Sequence, residues 1–157
     1  PEVEEHGLLG PALELLSFAV ALDSHGQASE VQRIPLIDGL DVFAEILNRI
    51  GGNMGTHLQA NTQKLRRSKA SFHEKDYQAW LLSELPVHKA SKYKEYLDDS
   101  AWMANLWIGW TLEFFVEMFA FLHQGRETKA SVEVAYKHTL LQHHNFFQRP
   151  AFLAAVK

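Results

Sequence analysis

His57, Asn61 and Lys64 stand at i, i+4 and i+7 of the stretch Thr56 to Lys69, THLQANTQKLRRSK. On a helix that spacing is one face. The three side chains form a hydrogen-bonding set: an imidazole that donates or accepts, an amide that does both, and an ammonium that only donates. Such a stripe suits the binding of a polar head group. The plainer reading is a solvated surface helix, since apolar content here is little more than Leu58 and Leu65. Arg66, Arg67 and Lys69 add a basic end, where the helix dipole favours cations.

Trp107 is the next residue with something to offer, as a core tryptophan or as a flat aromatic platform at a pocket mouth. The nine histidines raise the question of a metal. His143 and His144 are adjacent, so on a helix their side chains diverge by about 100°. His138 and His143 are five apart, also wrong for one face. With no HExxH and no cysteine, a metal site is not expected. Neither GxGxxG, a P-loop nor GxSxG occurs. Glu113 and Glu117 read as facing solvent or a partner cation rather than as an acid–base couple. Neither an enzyme nor a cofactor is expected.

Several elements must hold these residues. Trp107 lies in Ala101 to Leu122, AWMANLWIGWTLEFFVEMFAFL, which has three of the four tryptophans. That length nearly crosses a bilayer, for which about 20 apolar residues suffice. Glu113 and Glu117, four apart, would be costly in hydrocarbon, so a long buried helix of a soluble domain is expected. Asp98, Asp99 and Ser100 supply capping groups at its start and Gly125 stops it. Leu8 to Leu22 reads as a helix with Pro11 in its first turn. Asp23 to Pro35 reads as a loop, Asp38 to Ile50 as a helix, and Gly51, Gly52 and Gly55 as a break. Ser71 and Glu74 suggest a capping box for a helix ended by Pro86. Lys89 to Tyr96 is amphipathic. Thr128 to His144 reads as a further helix, and Pro150 interrupts the remaining C-terminal segment. Almost no period-2 alternation occurs, so an all-α domain of six or seven helices spanning residues 1–157 is expected.

Composition agrees. The chain has 157 residues, 46% of them hydrophobic and 22% charged. A net charge of −4 disfavours nucleic acid as a partner. The absence of cysteine excludes a disulfide scaffold and thiolate metal sites and suits the cytoplasm. No signal peptide is evident, and the Pro1 start reads as a processed or trimmed form.

Two stretches resemble the glycolipid transfer protein superfamily. Ala135 to Ala151, AYKHTLLQHHNFFQRPA, is similar to the helix in which an Ala/Ser-Tyr pair leads to a His, then Gly or Pro, Trp and a basic pair. Here the His is His144, Asn145 replaces Gly/Pro, Phe146 replaces Trp, and Arg149 keeps one basic residue. Leu106-Trp107, with Leu112 and Phe114 beyond, looks like the glycolipid-type signature in which Trp is the sugar platform. The ceramide-1-phosphate branch has Arg there. The order of the elements from about Leu13 onward also fits.

The resemblance implies a two-layer helical sandwich with a lipid cavity between its layers. It implies a carrier that moves a sphingolipid between membranes, most readily a glycosylated one. The head group would meet His57, Asn61, Lys64, Trp107 and His144, and the chains Phe18, Phe43, Ile46, Phe114, Phe115, Met118, Phe119 and Phe147. Phe146 and Arg149 would dock transiently on a membrane. Two departures stand out. The family's amide-binding Asp falls on His57 in one register and on Ala60 in the other, and neither is an acid. The family also continues for several tens of residues beyond its His, so a closing C-terminal helix is expected to be lacking here. A phosphosphingolipid carrier, or an interaction or lipid-sensing module that has lost transfer, are the competing readings.

Overall fold

The first helix is shorter than its apolar pattern suggests. In the computed structural model, which describes residues 7–50, 54–67, 74–90, 100–146 and 148–155, α1 spans Gly10–Ala19 and the backbone turns extended at Val20. Val20–Leu22 (β1) pairs antiparallel with Ala28–Val31 (β2), with Val20 opposite Val31. The expected helix to Leu22 and the expected loop from Asp23 are thus corrected to a small hairpin. Its turn is built by Asp23, whose Oδ1 accepts from the backbone N–H of His25 and Gln27, and by Gly26 at φ +75°. Aspartate folding back on its own backbone and glycine at positive φ are what a tight turn requires.

Helix α2, Arg33–Ile50, begins five residues before the expected Asp38, so Pro35 lies in its first turn, where its missing N–H costs nothing. Helix α3, Met54–Arg67, includes Gly55, which was expected to break the chain. A side chain at Gly55 would run into the carbonyl of Ala44 and the side chain of Asn48, so this glycine lets α3 approach α2 closely. Gly51 and Gly52 lie outside the described residues. At Gly39 a Cβ would come within 2.9 Å of Leu16, which marks the approach of α1 to α2.

Helix α4, Tyr77–Ala90, is capped by Asp76, whose carboxylate accepts from the N–H of Ala79 at 2.7 Å. Glu74 instead accepts from the N–H of Asp76, while Ser71 lies outside the described residues. Pro86 does not end α4; the helix continues to Ala90. Of the amphipathic stretch at 89–96, only Lys89 and Ala90 are described, and both belong to α4.

Helix α5, Ala101–His123, begins where expected and runs one residue past the expected Leu122. Ser100 Oγ accepts from the N–H of Met103, while Asp98 and Asp99 lie outside the described residues. At the other end the N–H of Gly125 reaches Leu122 O and that of Arg126 reaches Phe121 O, with Gly125 at φ +79°. That is the glycine stop the sequence implies. The helix is long and apolar enough to cross a membrane. It is less buried than expected: Ile108, Phe114, Phe115 and Met118 are buried, whereas Gly109, Glu113 and Val116 are exposed.

Helix α6, Thr128–His138, ends six residues before the expected His144. Thr139 leaves helical geometry (φ −114°, ψ −78°), its Oγ donates to Ala135 O at 2.8 Å, and a 3-10 turn comes next over Leu140–Gln142. Helix α7, Gln148–Ala155, takes Pro150 into its first turn rather than being interrupted by it. Asn145 and Gln148 cap each other, each side chain accepting from the other's N–H at 2.9 Å. The chain is all-α apart from the hairpin, with seven α-helices among the described residues.

The contacts divide the chain into two compact units, Pro1–Asn105 and Leu106–Lys157. In the first, Ile37, Leu40, Ala44 and Leu47 of α2, Leu58 and Leu65 of α3 and Trp80 of α4 are buried. Each fully buried Leu or Ile contributes about 1.5–3 kcal/mol. Arg33 is buried with them, its guanidinium 4.2 Å from the Trp80 ring centroid. In the second unit the rings of Phe114, Tyr136 and Phe152 stack or meet edge to face.

Candidate head-group site

Within the second unit, two of the expected site residues come together. The rings of Trp107 and His144 have centroids 5.8 Å apart at 32°. Trp107 comes from the first half of α5 and His144 from the turn after the 3-10 segment. Both are half-buried, so Trp107 is neither a sealed core residue nor a solvated one. The break in α6 at Thr139 shapes this turn: the N–H groups of both His143 and His144 reach Leu140 O, at 3.0 and 3.1 Å.

Around this pair lie Tyr136, Trp110, His143 and Phe152, to which the sequence alone assigns no site role, and Arg149, which was expected at a membrane. The Tyr136 hydroxyl is 3.0 Å from His144 Nδ1. Burial raises the Tyr136 pKa; the positive charge of Arg149 pulls the other way without cancelling it. Arg149 Nε donates to His144 O at 3.1 Å, and Phe152 stacks on Tyr136 at 4.2 Å. Trp110 meets Trp107 nearly perpendicular, centroids 5.0 Å apart, and lies flat against His143 at 3.6 Å and 8°. The Trp107–Trp110 spacing of i, i+3 was a readable signal for the first contact. The His143 stack had none, because a continued helix turns His143 elsewhere.

In the first unit, α3 is helical through all three stripe residues, so His57, Asn61 and Lys64 do share a face. Gly55, Leu58, Thr62 and Leu65 form the buried face; His57 and Ala60 are exposed, Asn61 and Lys64 half-buried. Asn61 Nδ2 donates to His57 O at 3.1 Å, which turns its amide along its own helix. The basic end is partly committed. Arg66 Nη2 meets Asp38 at 2.5 Å and Asp41 at 2.7 Å, and Asp41 also accepts from Thr62 Oγ. Partial burial lowers the Arg66 pKa, but the hydrogen bonds and charges of the two aspartates outweigh it and the net shift is upward. Arg67 Nε donates to Gln63 O, and Lys69 lies outside the described residues.

Of the expected chain-lining residues, Phe43 and Ile46 are buried on α2 and Phe114, Phe115 and Met118 on α5; Phe119 is half-buried. Phe18 is 68% exposed on α1, which puts it on the surface. Phe147 lies outside the described residues. Of the expected docking residues, Phe146 is 80% exposed and Arg149 is exposed.

Residues 35–157 match the family described as glycolipid transfer protein (GLTP). Comparison with curated proteins gives no match. Among solved structures the fold is similar to that of HET-C2, a fungal glycolipid transfer protein, with a TM-score of 0.71 and 21% identity over 92% of this chain and 74% of that one. It is similar to human ceramide-1-phosphate transfer protein in complex with 12:0 ceramide-1-phosphate, with a TM-score of 0.67 and 21% identity over 92% of this chain and 73% of that one. It is also similar to the GLTP-fold chain of FAPP2, which selects simple glycosphingolipids, with a TM-score of 0.67 and 20% identity over 87% of this chain. The chain spans 64% of the length of that FAPP2 chain.

Proposed function

The chain belongs to the glycolipid transfer protein family, and from that premise we propose that it binds a sphingolipid, preferably a glycosylated one, and carries it between membranes. The observation that carries this reading is the Trp107–His144 pair with Tyr136 behind it. A sugar has apolar CH faces and polar hydroxyls; an indole covers the first kind of surface. The phenol O–H is the better donor of the pair, so Tyr136 keeps its proton and donates a hydrogen bond to His144 Nδ1. That leaves the imidazole proton on Nε2, where it donates to a lipid amide carbonyl. On α3 of the first unit, the family resemblance assigns head-group hydroxyls to Lys64 and to the remaining amide groups of Asn61. In the same resemblance a His57 ring nitrogen stands in for the family's Asp as acceptor from the amide N–H, a weaker bond than one to a charged acceptor. No covalent bond is made or broken in any of these steps.

The acyl chains must leave water, at about 25 cal/mol per Å² of apolar surface. Phe114, Phe115, Met118 and Phe119 supply apolar side chains for that in the second unit, and Phe43 and Ile46 in the first. Exposed Phe146 and Arg149 give a small aromatic and cationic patch, enough for weak, reversible contact with a bilayer. A cytoplasmic carrier meets such surfaces repeatedly.

A phosphorylated head group needs cations that are not already neutralised. Asp38 and Asp41 occupy Arg66, and Trp107 stands where the ceramide-1-phosphate branch has Arg, so the glycolipid reading is favoured. The test is transfer between vesicles of labelled glucosylceramide, ceramide-1-phosphate and phosphatidylcholine. Glucosylceramide should move fastest, and Trp107→Ala should abolish its transfer with helix content and thermal unfolding nearly unchanged. Preference for ceramide-1-phosphate would replace the head-group assignment. Failure to move or bind any sphingolipid would leave an interaction module.

A further inference from the structure

We infer that the Trp110–His143 stack is a positioning device that holds Trp107 and His144 in place for a sugar-bearing head group. Selectivity for glycosylated over bare ceramide then depends on it. The inference rests on the glycolipid reading above and extends it to two residues that touch no lipid in that reading.

The geometry is a pair of linked contacts. Trp107 and Trp110 are one turn apart on α5, so they project on the same side of the helix. Their rings meet at 84° with centroids 5.0 Å apart, the edge-to-face arrangement that the ring quadrupole favours. Each tryptophan carries one of two consecutive histidines: His143 lies flat on Trp110 at 3.6 Å, and His144 tilts against Trp107 at 5.8 Å. The two histidine N–H groups share Leu140 O, so the turn between them is itself tied down. A rotation of this turn that moved His144 away from Trp107 would also pull His143 off Trp110. Likewise, Trp107 cannot swing toward the end of α5 without entering the space of Trp110, whose own ring is fixed by His143.

A sugar platform needs that constraint. An indole offers a CH-stacking face only while its plane is held, and freezing the ring on binding would cost side-chain entropy. Holding it beforehand removes that cost. The amide contact of His144 serves a part of the lipid that all ceramides share, whereas the Trp107 plane reads the CH face that only a sugar ring offers. Loosening it lowers binding of a glycosylated lipid more than binding of ceramide itself.

The experiment compares wild type, His143→Ala and His143→Phe for uptake of glucosylceramide and of ceramide from phosphatidylcholine vesicles. Circular dichroism of the lipid-free proteins is measured in parallel, because two indoles at this distance and angle give a coupled signal. His143→Ala should lower the glucosylceramide-to-ceramide ratio by about two- to twelvefold, the worth of one aromatic pair, and weaken the coupled signal. His143→Phe keeps a flat ring on Trp110 and should restore both. If His143→Ala does not fold, Trp110→Leu against Trp110→Phe makes the lipid-ratio comparison from the other side of the stack, with Phe expected to restore the ratio; the coupled signal needs both indoles and is not read in these variants.

An unchanged ratio or an unchanged coupled signal overturns the inference. So does an equal loss of both lipids, which marks the stack as structural support only, and so does equal impairment by Ala and Phe. Wild type that takes up neither lipid ends the lipid-carrier reading and this inference with it. Wild type that prefers glucosylceramide, with His143→Ala unchanged, ends this inference alone.

Discussion

The hydroxyl of Tyr136 lies 3.0 Å from Nδ1 of His144, while the backbone oxygen of the same histidine accepts from Arg149 Nε at 3.1 Å. One residue is thus held from both sides, its ring by a phenol and its backbone by a guanidinium. Burial keeps the phenol pKa above its ordinary value, so the proton stays on Tyr136 through neutral and mildly alkaline pH. Tyr136→Phe removes one hydrogen bond and leaves the His144 tautomer unset. Lipid affinity should fall by about 0.5–1.5 kcal/mol, roughly two- to twelvefold. His144→Ala should cost more, because the donor to the lipid itself is lost. Titration with sphingolipid followed by tryptophan emission measures both, and Tyr136→Phe binding as tightly as wild type would refute the role given to the hydroxyl.

On α3 the decisive comparison is between neighbours of the same stripe. Asn61 already donates to His57 O, so part of its hydrogen-bonding capacity is spent within the helix. A bond to a charged group contributes about 1.5–3 kcal/mol and a neutral one about 0.5–1.5. Lys64→Ala should therefore weaken lipid binding more than Asn61→Ala. The missing acid is tested beside them. Both His57 and Ala60 are exposed, so a carboxylate fits at either. If the register with His57 holds, His57→Asp strengthens sphingolipid binding and Ala60→Asp does nothing. The reverse result assigns the other register, and no gain from either removes the amide contact from this face.

The helical elements were legible because their apolar residues recur at helical spacing and their ends carry caps, as at Ser100 and Gly125 of α5. What was not legible came from local bonds that override periodicity. Asp23 and Gly26 fold a turn that pairs Val20 with Val31, although neither strand alternates. Thr139 bonds back to Ala135 and ends α6 where the apolar pattern continues. Gly55 reads as a breaker in sequence and is instead a close-packing residue, since only the position of Ala44 O reveals why no side chain fits. In the site, Trp107 and His144 were readable through a family resemblance. His143 was not, because its place against Trp110 depends on that same early end of α6. Arg66 read as part of a basic helix end; that Asp38 and Asp41, more than twenty residues earlier, face it was not legible.

Tyr77 gives a prediction that concerns stability rather than binding. It is buried in the first unit, where its hydroxyl donates to Asn105 Oδ1 at 2.9 Å. Burial pushes its pKa well above the ordinary 10.0, and the nearby positive charge of Arg33 offsets only part of that. Once pH passes about 10, the unfolded chain gives up this proton while the folded chain keeps it. The folded state then binds more protons than the unfolded one, so stability falls as pH rises through that range and is intact below it. Tyr77→Phe lacks this titration and also lacks the hydrogen bond. At pH 7 it should be less stable than wild type by about 0.5–1.5 kcal/mol. Above pH 10 the gap should narrow and then reverse, because wild type alone carries this added alkaline loss. Urea unfolding of both proteins at pH 7, 9, 10.5 and 11 measures the difference directly. Tyr136 and other ionising groups are common to both chains and cancel. A gap that stays constant across that range would mean that Tyr77 ionises as easily folded as unfolded, and that its burial does not govern its proton.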